Sequence, residues 1–190
     1  MNLLTSLSPL SGVPITPPGG TPLPEAGRGS RALRPPRGFH PPSGGFRDVR
    51  LAGHSPVGRG RTVAQKMGLR YEQRVHDVLS AIYDERYRQS PSILFHDLYG
   101  HRRAIPDGLL AIDDHLVIVE VKYTHCELAW WQLKRLYSPL LVTLYPGRRI
   151  RHVEICRSYD PSVVFPGDHR LVTSLHSLPE TEVGVIQWKL

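Results

Sequence analysis

The strongest hydrophobic pattern in the chain is Leu116-Val117-Ile118-Val119-Glu120-Val121-Lys122, a β-branched and apolar run that predicts a strand buried on both faces. A second strand is predicted just upstream, Asp107-Gly108-Leu109-Leu110-Ala111-Ile112, with Asp113-Asp114 between the two. Tyr71, Val75, Val78, Leu79 and Ile82 recur at helical spacing, so an amphipathic helix precedes them, with Glu72 on the edge of its apolar stripe. Gly68, one turn before Glu72, leaves space beside that side chain. Thr124-His125-Cys126-Glu127 has the capping-box pattern and predicts a second helix with Thr124 as N-cap and Ala129, Leu133, Leu136 and Leu140 as its apolar line. Gln132 sits beside that line. Trp130 and Trp131 are read as packing residues rather than stacking platforms. Further strands are expected at Ser92–His96, Ile150–Cys156 and Glu182–Trp188.

The charged residues inside the best strand carry the chemistry. Alternation puts Glu120 and Lys122 on one face. A two-residue turn at Asp113-Asp114 would pair Ile112 with His115 and, counting outward, Asp107 with Glu120. Opposed Cβ atoms lie about 5 Å apart, and two carboxylates that close repel unless a cation lies between them. The pattern therefore predicts a metal site. A three-residue turn would instead oppose Asp107 to Val121, with Glu120 a diagonal neighbour. The plainer alternative is a solvated hairpin end with Glu120 and Lys122 as a surface ion pair, worth about 0.5 kcal/mol.

Composition divides the chain. The first 61 residues hold 11 of the 18 prolines, 11 of the 17 glycines and eight arginines, with no lysine and only Glu25 and Asp48 as acids. Residues 1–61 are therefore expected to be a disordered basic arm, and residues 62–190 one domain, close to neutral and able to fold without the arm. The arm suits non-specific phosphate contacts, a spacer, or simply biased base composition. Met1-Asn2-Leu3-Leu4 does not open a secretory signal, and the prolines and glycines argue against an organellar transit helix. No stretch approaches the ~20 apolar residues of a membrane span. Cys126 and Cys156 make no disulfide framework and are expected to be reduced residues in or near the core. His96, His101, His115 and His125 lie near the proposed site but are read as surface or packing residues.

The order helix, strand, hairpin, helix, strand resembles the PD-(D/E)xK nuclease superfamily, with its restriction-endonuclease-like fold. It also looks like the Holliday-junction-resolvase and RecB-like branches. Pro106-Asp107 matches the Pro-Asp of the family name, Glu120-Val121-Lys122 the acid-x-Lys, Gly68-Leu69-Arg70-Tyr71-Glu72 the leading helix motif, and Gln132 the helical glutamine. The likeness covers about residues 66–156. It implies an α/β fold: an αβββαβ core whose central mixed sheet is flanked by helices. It also implies Mg²⁺ or Mn²⁺ held by Asp107, Glu120 and the main-chain carbonyl of Val121, with Glu72 supporting a second ion or an ordered water. Lys122 would orient the attacking water and stabilise the charged phosphorane. Gln132 would assist, and Arg102 and Arg103 would contact backbone phosphates.

The function these residues imply is metal-dependent hydrolysis of DNA phosphodiester bonds by an activated water. The alternative is a non-catalytic nucleic-acid-binding or virion-assembly protein built on the same fold. The expected partner is DNA and no membrane, in a cytoplasmic bacterial or viral setting of repair, recombination, phage or mobile-element biology. A homodimer, and a partner protein that supplies substrate specificity, both remain open. Neither the DNA structure attacked nor endo- versus exonuclease action is written in the sequence.

Overall fold

A computed structural model describes residues 35–36, 39–40, 45–52 and 62–190. The rest of the predicted arm lies outside the described residues. After β1 (Arg47–Ala52), helix α1 (Val63–Tyr83) leads to three short strands, β2 (Tyr87–Gln89), β3 (Ser92–Asp97) and β4 (Gly100–Ala104). The hairpin β5 (Gly108–Ile112) and β6 (His115–Thr124) follows. A continuous helical stretch comes next: α2 (Glu127–Trp131), a π-helical turn over Gln132–Tyr137, and α3 (Ser138–Leu144). The chain ends in β7 (Arg149–Ser158), β8 (His169–Leu171) and β9 (Val183–Gln187).

The strands form two sheets. Six make a mixed sheet in the order β2-β5-β6-β7-β9-β8, antiparallel from β2 to β6 and parallel from β6 onward. The fold is thus α/β. The strand at Ser92–Asp97, expected beside the hairpin, instead joins a three-stranded antiparallel sheet in the order β1-β3-β4. Its place next to β5 is taken by β2. Two of the three residues in β2 are exposed, so it carries no apolar pattern to read.

Strand β6 is buried on both sides, as its composition predicts. Val117, Val119 and Val121 pack with Tyr71, Val75 and Leu79 of α1. Ile118 faces the opposite layer, where Trp130, Leu133, Leu140 and Leu141 of the helical stretch meet Ile93 and Phe95 of the small sheet. Both tryptophans are core residues, as expected.

Two local expectations need correction. In α1 the buried residues are Tyr71, Val75, His76, Leu79 and Tyr83, while Ile82 is exposed. The helix begins at Val63, capped by Thr62 in a capping box with Gln65. The second box, at Thr124, does not form. β6 runs on to Thr124, which pairs with Ser158, and the helix starts at Glu127 with Cys126 at its cap position. The Glu127 carboxylate accepts a bond from Trp131 Nε1 (2.9 Å) instead of reaching back to a cap. The π-helical turn has a covalent cause. Pro139 offers no N–H to the carbonyl of Arg135, and its ring crowds that carbonyl, so the preceding turn widens.

The arm also needs revision. Arg47–Ala52 pair with β3, and Phe39, Phe46, Val49 and Leu51 pack against the core layer around Trp131 and Phe95.

Candidate functional site

The hairpin turn has two residues. Ile112 pairs with His115 and Gly108 with Val119, as the two-residue turn requires, and the same register carried one residue past the end of β5 sets Asp107 opposite Glu120. Asp113 takes the left-handed conformation (φ 51°) that such a turn needs and aspartate tolerates.

Because β5 starts at Gly108 while β6 continues to Thr124, the last residues of β6 have no strand on their β5 side. Asp107 fills part of that gap: its Oδ2 accepts the main-chain N–H of Val121 at 2.7 Å. In an extended strand the carbonyl of a residue points the same way as its N–H. The Val121 carbonyl therefore opens onto the same gap, on the side where the family resemblance implies a ligand.

Glu120 is 1% exposed, and its Oε1 accepts a short bond from Lys122 Nζ. Its Oε2 is buried and, among the described residues, has no partner. Burial raises the Glu120 carboxyl well above the ordinary range. The nearby Asp107 charge raises it further, and Lys122 offsets this only in part. Asp107 is also raised, by burial first and then by Glu72, against the pull of Lys122 and the Val121 amide. Burial alone would lower Lys122, but Glu120 and Asp107 outweigh it and hold the ammonium protonated. One lysine does not balance the buried Glu120, the half-buried Asp107 and Glu72 alongside. With no further cation, the carboxylates retain a proton near neutrality.

The energetic sign is informative. A buried leucine at position 120 would contribute about 1.5–3 kcal/mol, whereas a buried carboxylate costs several kcal/mol unless it is fully paired. Stability does not explain Glu120.

Glu72 lies across the gap on α1. Its Oε1 is 3.5 Å from His76 Nε2, one helical turn on. His76 Nδ1 in turn meets the Tyr87 hydroxyl at 2.5 Å. That hydroxyl occupies the space a side chain on Gly108 would need, immediately next to Asp107. Burial raises the Tyr87 phenol, and Asp107 and Glu72 raise it further, which keeps it protonated. Sequence reasoning missed this Glu72–His76–Tyr87 chain, although the four-residue spacing of Glu72 and His76 was there to be read. Gly68 has no such role: a Cβ on it would meet nothing within 4 Å.

Gln132 does not bond to the carboxylates. Its Nε2 donates to the Tyr137 hydroxyl (3.2 Å), which donates to the carbonyl of Ile105 (3.1 Å), two residues before Asp107. The widened turn brings these positions i and i+5 together. Burial, then Glu120 and Asp107, push Tyr137 well above the usual phenol range, so it keeps the proton it donates. Arg102 is not free for phosphate. It pairs with buried Asp97 (3.0 Å) and donates to the carbonyl of His40 (3.1 Å). Arg103 is exposed, with its Nε on Ser92 Oγ (2.6 Å).

Of the four histidines, His125 is buried with Nδ1 on Glu154 Oε2 (2.7 Å), and Glu154 also accepts the Cys126 amide (3.2 Å). Glu154 faces Glu120 across the β6–β7 ladder. It secures the turn from β6 into α2, and nothing in the local sequence marked it. His96 and His101 stack on the small sheet, and His115 pairs with Asp114 beside the turn. Cys126 and Cys156 are free thiols, half-buried and buried.

The donor set suits a hard divalent cation. It comprises carboxylate oxygens from Asp107 and Glu120, one of them without a partner, together with a carbonyl oriented toward the same gap. Among the described residues, no three His, Cys, Asp or Glu side chains stand together as a preformed ligand set. Glu72, turned to His76, is the third carboxylate and would have to swing to join. No helix among the described residues is long and apolar enough to cross a membrane. No protein-family model, curated protein or solved structure matches this chain.

Proposed function

We propose that the chain is a metal-dependent nuclease of the PD-(D/E)xK type that hydrolyses DNA phosphodiester bonds. The observation that carries this reading is the buried, partnerless Oε2 of Glu120, directly opposite Asp107 and on the same strand face as Lys122. The element order supports it. Without the β3–β4 excursion, the chain runs α1, β2, β5, β6, helix, β7, the αβββαβ order of the restriction-endonuclease-like fold.

Asp107, Glu120 and the Val121 carbonyl would hold Mg²⁺ or Mn²⁺. When bound, the ion lowers the pKa of a water and neutralises charge on the scissile phosphate. Lys122 stays protonated, orients the attacking water and stabilises charge building on the phosphoryl oxygens. Asp107 keeps its place through the Val121 amide. Tyr137, held by Gln132, fixes the Ile105 carbonyl just ahead of it. Glu72 stands ready on α1 as an additional carboxylate.

The test is incubation of the purified full chain with linear, circular, single-stranded and four-way-junction DNA, with Mg²⁺ or Mn²⁺ and with EDTA. Cleavage of at least one substrate that needs the metal and disappears in Glu120→Gln supports the proposal. Binding without cleavage of any substrate would favour a non-cutting scaffold.

A further inference from the structure

The β1-β3-β4 sheet turns Ile93, Phe95 and Ala104 inward to the core. Directly paired residues share a face, so its ladders define what faces outward. One row is Arg47, His96 and His101; the next is Arg50, Leu94 and Arg103. This face thus carries three arginines and two imidazoles around one leucine. Arg47, Arg50 and Arg103 are exposed. Among the described residues none of them pairs with a carboxylate. The His96 and His101 rings stack at 4.6 Å. A hollow of about 650 Å³ opens at the edge of this face, where Arg50, Leu94 and His101 meet Asp48, Phe95 and Arg102.

We infer that this outward face is the surface on which the DNA backbone rests while the carboxylate site acts on it. The inference rests on the nuclease reading above and deepens it. Charge complementarity identifies the occupant: three exposed guanidiniums on one sheet face, against the single carboxylate of Asp48 beside them, match the phosphodiesters of a DNA backbone. Position agrees. Arg103 and Asp107 are four residues apart, so their Cα atoms lie within about 14 Å, comparable to the ~12 Å width of a DNA major groove. β1 contributes two of the three arginines, which gives the strand recruited from the basic N-terminal region a task besides packing.

The test is DNA binding by the full chain, followed by fluorescence anisotropy of a labelled duplex across a salt series in EDTA. Two variants are compared with the unaltered protein: Arg47→Gln/Arg50→Gln/Arg103→Gln and the control Arg86→Gln/Arg148→Gln/Arg149→Gln. Glutamine at 103 keeps a donor for Ser92, and thermal melting checks that each variant folds. The control removes the same charge from the other end of the hairpin, around the Asp113-Asp114 turn. The first variant is expected to bind at least about tenfold more weakly. Its slope of log K against log salt should flatten by up to about 2.7, at about 0.9 per lost phosphate contact. The control is expected to keep the slope. An unchanged slope in the first variant, or an equal loss in the control, overturns the inference. Because no metal is present, a protein that binds through this face yet never cuts DNA contradicts the nuclease reading and leaves this surface standing.

Discussion

Asp107 accepts the main-chain amide of Val121 at 2.7 Å, at the point where β5 has ended and β6 runs on alone. That bond makes one carboxylate both a strand cap and a candidate ligand. It leaves Glu120, opposite, to carry the unpaired oxygen.

Cleavage should depend on three side chains in different ways. Asp107→Asn and Glu120→Gln keep the shape but lose charge, and both should abolish turnover. Lys122→Ala should cost on the order of 10²–10³-fold, the usual loss for a group that stabilises charge in the transition state, while still binding metal. Single-turnover assays at saturating DNA check this; near-normal rates in any of the three contradict the site.

Glu120 should make the fold less stable as the pH rises. Its folded pKa lies above its unfolded one, so stability is fully present below the ordinary carboxylate range and is lost as the pH climbs toward about 8. Glu120→Gln should therefore melt at a higher temperature than the unaltered protein at pH 8, with the gap closing near pH 4. Saturating Mg²⁺ should narrow the gap at pH 8. Melting curves that run parallel across this range would contradict a strained carboxylate.

The Glu72–His76–Tyr87 chain predicts graded losses. Glu72→Ala should slow turnover less than Glu120→Gln, because Glu72 stands off the gap. Tyr87→Phe leaves His76 Nδ1 buried without its partner, which costs about 1–3 kcal/mol. Gly108→Ala forces the Tyr87 ring aside and should cost at least as much. Urea denaturation reads the last two; equal turnover losses at Glu72 and Glu120 would point to a shared two-ion cluster.

Tyr137→Phe and Gln132→Ala should act alike if Gln132 works through Tyr137. Each should lower turnover, and the double variant should lose little more than Tyr137→Phe alone. Additive losses would give Gln132 a separate role.

Removing residues 1–61 should no longer be harmless. A chain starting at residue 45 keeps β1, whereas one starting at 62 strips it from β3 and exposes apolar surface around Phe95, a loss of at least ~2 kcal/mol of burial. Denaturation midpoints of the two truncations test this. Equal stability would mean β1 contributes nothing to the fold.

The sequence was most legible where local chemistry decides the outcome. The β5–β6 register followed from counting outward from Asp113-Asp114 as a two-residue turn, because loop length fixes the pairing of a hairpin, whereas β6 itself is apolar on both faces and sets no register. It was least legible where tertiary partners decide. Thr124 and Glu127 make a sound capping box in isolation, but pairing with Ser158 keeps Thr124 in the strand. β1 vanished into the average composition of a proline-rich segment. Tyr87 and Tyr137 carry no local signal, since each matters through a contact far along the chain.

The central claim is that Asp107 and Glu120 together hold a divalent cation in place of a retained proton. Calorimetric titration of the DNA-free protein with Mn²⁺ near pH 7, repeated in buffers of different ionisation heat, measures both the ion bound and the protons released. The account predicts binding that releases up to about one proton per cation, with both binding and release lost in Glu120→Gln. Binding that survives Glu120→Gln with the same proton count would contradict it.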